Sequence, residues 1–176
     1  PPFLPLAERV ERAFKDIALA DDPRAPARNW HALALERHII AWYLERQQLL
    51  QAISVAFEWL LSYIMALEDY KDLYFGPDRD TVRKQVTALN KERTLQARGK
   101  IVSAKVEREA NEAKEHLRRV ALHQPLLRLY EEVADLRNDL LHAAKTVHDE
   151  PTPGDWETYI RDACRKVAAL PLGQPT

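Results

Sequence analysis

Arg137, Asn138, Asp139 and His142 fall within one short stretch, Leu136-Arg137-Asn138-Asp139-Leu140-Leu141-His142. Their types suit the cleavage of a phosphodiester that carries its own nucleophile, as RNA does in its 2'-hydroxyl. Such a reaction needs a group that moves protons near neutral pH and a fixed cation for the charge that builds on phosphorus; it requires neither a metal ion nor a cofactor. His142 would move the proton and Arg137 would hold the charge. Asn138 would orient the imidazole or bind a phosphate oxygen. Asp139, three residues before His142, would favour the protonated imidazole.

Spacing alone does not single out these residues. With 17 Arg and six His in the chain, about one or two pairs at this loose separation arise by chance. Arg24 with His31, Arg118 with His123 and Arg137 with His142 all satisfy it. Only the last pair has an Asn directly after the Arg. Helical geometry adds a second argument: at 100° per residue, Leu129, Val133, Leu136, Leu140 and Val147 form one stripe that must face a core. Asn138 and His142 lie opposite that stripe, one turn apart, with Arg137 on the flank. Leu127, Ala134 and Leu141 make a second apolar strip beside them. A helix with two apolar faces calls for a second partner, and an identical subunit would bring two copies of Arg137, Asn138 and His142 together at a two-fold axis. Against this stands the commoner fate of an Arg, an Asn and a His on a helix, which is to be solvated or to bridge chains.

The elements that must carry the motif are helical. Four Gly among 176 residues, with abundant Ala, Leu, Glu, Arg and Gln, describe good helix formers with few tight turns. The expectation is an all-α bundle of about five or six helices forming a single domain over residues 1–176 and a two-fold dimer through the motif helix. A first amphipathic helix is predicted over Leu6 to Leu19. From an N-cap at Asn29, a helical hairpin should run from Trp30 to Leu67 and break near Arg46-Gln47-Gln48. Gly76-Pro77-Asp78 is a break, after which a polar segment continues to about Leu122. A helix then starts at Gln124-Pro125 and runs through the motif to about Val147, and a last one spans Asp155 to Ala168.

Charge is uneven within this plan. The chain carries a net −1, which argues against general nucleic-acid binding by the whole surface. Yet Arg79 to Lys105 holds eight Lys/Arg against two acids. Arg83, Lys84, Lys91 and Arg93 could thus guide RNA to the motif, although a solvated or mobile helical insertion over about 79–120 accounts for the same composition. The remaining His residues show no metal-ligand spacing, Tyr130 reads as packed, and Glu58 and Trp59 read as core. Cys164 stands alone, which fits a reducing cytoplasm. No apolar run approaches the roughly 18 residues of a membrane span. A chain that opens on Pro1-Pro2-Phe3 is expected to be a piece of a longer one.

Two stretches resemble a known family. Leu136 to Ala143, together with Ala41-Trp42-Tyr43-Leu44-Glu45-Arg46-Gln47-Gln48-Leu49-Leu50-Gln51-Ala52 and the continuation to Glu58-Trp59-Leu60, is similar to the HEPN region of type III CRISPR effector nucleases, in which a CARF domain senses cyclic oligoadenylate. The resemblance implies metal-independent cleavage of single-stranded RNA at a site shared by a HEPN homodimer, with Arg137, Asn138 and His142 at its motif positions. It also implies that cyclic oligoadenylate would bind an upstream domain absent from these residues. A catalytically silent HEPN dimerisation module, and a HEPN toxin or abortive-infection ribonuclease, are the alternatives.

Overall fold

A computed structural model describes residues 29–74, 76–142 and 153–172. The described residues form α1 (Asn29–Glu45), α2 (Leu49–Leu67), α3 (Pro77–Ala97), α4 (Ala104–His116), α5 (Arg118–Leu122), α6 (Gln124–His142) and α7 (Pro153–Ala168), with no strand among them. The chain is all-α. The helix expected over Leu6 to Leu19 and the motif helix beyond His142 lie outside what is described, and Asn29, expected as the cap, is the first residue of α1. More helices appear than the five or six expected because the polar segment 79–122 divides into three, broken at Gly99 and at Leu117.

The α1–α2 hairpin breaks at the expected place without Gly or Pro. Gln47 adopts φ 57°, while Gln47 N donates to Leu44 O at 3.1 Å and Gln48 N to Tyr43 O at 3.0 Å. This pairing of last-turn carbonyls around a left-handed residue is a Schellman ending, where glycine is usual. Asp69, at φ 61°, ends α2 in the same way, with Tyr70 N donating to Met65 O at 3.0 Å.

Helix α2 is the centre of the bundle, packed against α1, α6, α7 and α3. Its 19 residues include an 18-residue window of mean hydropathy 1.5, long and apolar enough to cross a membrane, which corrects the expectation that no such run exists. Two thirds of that window (67 %) is buried inside the bundle, and this burial accounts for its composition. Trp59, 1 % exposed, donates from Nε1 to Leu33 O on α1 at 2.7 Å and stacks on Tyr63 at 5.1 Å. Arg37 on α1 donates to Ala168 O and Leu170 O at 2.8 and 3.0 Å, placing a cation on the carbonyl end of α7. Cys164 is buried within α7, which pushes its thiol up to about 12.

Segment 79–122 is packed rather than solvated. On α3, Val82, Val86 and Leu89 are buried, and α4 lays Val106, Ala110 and Ala113 inward, pairing with α3 through Lys114 and Glu92 at 2.7 Å. A thin apolar stripe is enough because α3 is covered by α2 and α6 on one side and α4 on the other.

Glu36 on α1 contributes a pH dependence. Burial raises its pKa above the ordinary carboxylate value, outweighing the opposing Tyr74 hydroxyl and Arg79 charge. A carboxyl whose pKa is raised in the folded state costs stability once it ionises, and the cost is relieved as pH falls through the raised value. Glu36→Gln is therefore expected to melt higher than the parent at pH 8. The advantage should shrink as thermal melts are taken to lower pH.

Candidate functional site

Helix α6 carries the motif, and two of its faces are used. Leu129 and Val133 are buried and Leu136 and Leu140 pack partly against the core, as the predicted stripe requires. The second strip is divided: Leu127 is buried, Ala134 is half-buried, and Leu141 is 46 % exposed. The protein's own packing therefore covers most of the face expected to await a second subunit. Leu141, Asn138 and His142 remain open at the C-terminal end.

Arg137 behaves differently from its neighbours. Its guanidinium lies 5.1 Å over the ring of Phe57 on α2, a cation–π contact, and its buried Nε has no hydrogen-bond partner. Asn138, Asp139 and His142 are exposed. Among the described residues no hydrogen bond or ion pair joins Asp139 to His142, so the supporting role expected of Asp139 has no contact behind it.

Arg137 and Asn138 border a groove of about 630 Å³ between α2, α3 and α6. Phe57 and Tyr130 lie at its base, their rings 5.2 Å apart. Tyr130 is only 3 % exposed, as a packed tyrosine should be, yet its hydroxyl is buried with no hydrogen-bond partner. Burial pushes that hydroxyl up to about 12, so it stays a neutral donor. His142 does not line the groove; it stands one turn past Asn138, at the exposed end of α6.

Two of the four basic residues expected to meet RNA reach this groove. Arg83 and Lys91 line it from α3. Arg83 pairs with Glu58 and with Asp80, each at 3.4 Å, and its Nε is buried and unpartnered. Lys91 is exposed. Arg93, by contrast, is held by an ion pair to Glu131, which also accepts from the Thr94 hydroxyl at 2.9 Å. Lys84 lines an adjoining groove of about 570 Å³ between α3 and α4, beside Glu109, Glu112 and His116, which Arg83 and Lys91 also border.

Glu58 was expected as core, and the structure corrects this. Its carboxylate is 45 % exposed and pairs with Arg79 at 2.8 Å as well as with Arg83. Nothing in the spacing of Glu58, Arg79 and Arg83 along the sequence signals that cluster, because it forms only when α3 crosses α2. Burial, reinforced by Glu131 and Asp139, raises the pKa of Asp135 on the groove wall. Among the described residues no group of three or more His, Cys, Asp or Glu is arranged to hold a metal ion. His31 and His38 are both exposed. No protein-family model, curated protein or solved structure matches the chain.

Proposed function

We propose that this chain is a HEPN-type endoribonuclease domain, which cuts single-stranded RNA without a metal ion as the effector part of a type III CRISPR defence protein. The observation that carries the reading is the end of α6: Asn138 and His142 are exposed on one side, and Arg137 beside them keeps an unpaired donor at the edge of a groove shared with Arg83 and Lys91. In the reaction, the 2'-hydroxyl gives its proton to a His142 imidazole and its oxygen attacks phosphorus. The bond from phosphorus to the 5'-oxygen breaks, and that oxygen takes up a proton. The products are a 2',3'-cyclic phosphate and a 5'-hydroxyl. Arg137 stabilises the charge on the phosphorane oxygens.

The exposed Leu141 between Asn138 and His142 supports a homodimer closing over this end of α6, so that two motifs share one cleft. The protein would act in the cytoplasm, under the control of cyclic oligoadenylate bound to a preceding domain.

The nucleophile provides the test. An all-ribose oligonucleotide incubated with the chain in EDTA should yield fragments ending in 2',3'-cyclic phosphate. Placing 2'-deoxyribose at the cleaved position should abolish that cut. Cleavage at the deoxy position, leaving a 3'-hydroxyl, would exclude the mechanism.

A further inference from the structure

Three buried donors without partners, the Tyr130 hydroxyl, Arg83 Nε and Arg137 Nε, belong to residues that line the same groove. Apart from the Tyr130 hydroxyl oxygen itself, no buried side-chain acceptor among the described residues lining that groove is left unpaired. An unpaired buried donor is costly, and native structures keep few of them. A cluster in which donors outnumber acceptors, two of them on guanidiniums that only donate, is complementary to a ligand that brings acceptors.

The charge balance indicates which kind. Three acids lie on the groove wall, but Glu58 is neutralised by Arg79 and Glu131 by Arg93, both acting from outside the wall. Arg83, Lys91 and Arg137 then face Asp135, with Asp80 at the outer side of Arg83. The balance favours an anion. A volume of about 630 Å³ is in the range of sites that hold a ligand the size of one nucleotide.

We infer that this groove seats a phosphodiester of the RNA chain next to the one being cut, with the Tyr130 hydroxyl and the Arg83 and Arg137 guanidiniums donating to its oxygens. The inference rests on the ribonuclease reading for the identity of the chain that binds. It assigns Tyr130 a positioning role, since it holds the strand while Arg137 and His142 act on the neighbouring linkage. It also separates the α3 cations by groove: Arg83 and Lys91 line this one, whereas Lys84, two turns before Lys91, borders only the adjoining α3–α4 groove.

The test uses the 176-residue chain and a labelled 2'-O-methyl oligonucleotide, which cannot be cut because its 2'-oxygen is blocked. Binding is followed by fluorescence anisotropy. Tyr130→Phe is expected to weaken binding about tenfold, the worth of one hydrogen bond to a charged group, and to leave the melting temperature unchanged or higher, because it removes an unsatisfied hydroxyl without changing the packing. Lys84→Glu should bind within about twofold of the parent, as expected for a charge away from the seat. Equal binding by Tyr130→Phe and parent would overturn the inference. So would equal weakening by both variants, which would place the strand along the α3–α4 face. Displacement of the oligonucleotide by inorganic phosphate at matched phosphate concentration would instead make this a site for free anions, and would likewise overturn it. If Tyr130→Phe weakens binding while all-ribose RNA stays uncut, the ribonuclease reading fails and the seat stands.

Discussion

Replacing His142 with alanine should lower the rate of RNA cleavage by roughly 10²- to 10⁴-fold, the contribution usual for one general acid–base group. Folding should not change, because His142 is exposed and makes no hydrogen bond or ion pair among the described residues. The loss should appear in kcat with KM nearly unaltered, since the imidazole is needed in the transition state rather than for holding the strand. Arg137→Ala should lose about 10²- to 10³-fold, as expected for a missing cation at a developing oxyanion. It should also raise KM, because Arg137 lines the groove as well as the motif. Its contact with Phe57 adds a small stability cost, about 0.5–2 kcal/mol for a cation–π pair. Single-turnover cleavage and thermal melts of the two variants separate these contributions.

The largest stability effect is expected from Arg79, which no motif singles out. Its side chain is only 13 % exposed. It donates to Ser62 Oγ, Glu58 O and Glu58 Oε2 at 2.9, 2.9 and 2.8 Å, and also to Leu73 O. One guanidinium therefore ties the loop before α3 to the middle of α2. Arg79→Ala would take a charged donor from two carbonyls and a carboxylate, leaving them the Ser62 hydroxyl and the longer contact with Arg83. Breaking a buried pair costs about 3–5 kcal/mol, and the partial exposure of Glu58 brings the expected loss to about 2–4 kcal/mol. For a chain of this size that lowers the melting temperature by roughly 5–15 °C. Arg83 shares Glu58 but is 39 % exposed and meets it at 3.4 Å. Arg83→Ala should cost no more than about 1 kcal/mol while weakening RNA binding. A calorimetric comparison of the two variants tests whether α3 is anchored by Arg79 rather than by its whole row of cations.

What the sequence made legible, and what it did not, follows from how far apart the interacting residues lie. The breaks at Gly76-Pro77 and Gln124-Pro125 were readable because Pro at the start of a helix acts locally. The ends of α1 and α2 were harder to read, since Gln47 and Asp69 adopt left-handed conformations that a glycine would have announced. Periodicity correctly placed Leu129 and Val133 inward and Asn138 and His142 outward. It could not show that Leu127 would be buried, so the face left for a partner looked longer than it is. The basic run was visible in the composition. Its division, with Arg79 and Arg93 paired internally, Arg83 and Lys91 on the groove and Lys84 beyond it, depends on acids contributed by α2 and α6. The orphan hydroxyl of Tyr130 is invisible in sequence, because only the packed structure shows that no partner reaches it.

The most direct measurement is cleavage of end-labelled single-stranded RNA in excess EDTA by the parent chain, His142→Ala and Arg137→Ala side by side. The parent should cut at an undiminished rate in the chelator, and both variants should be almost silent. Loss of the parent's activity on chelation, or cleavage by either variant at the parent's rate, would contradict the mechanism.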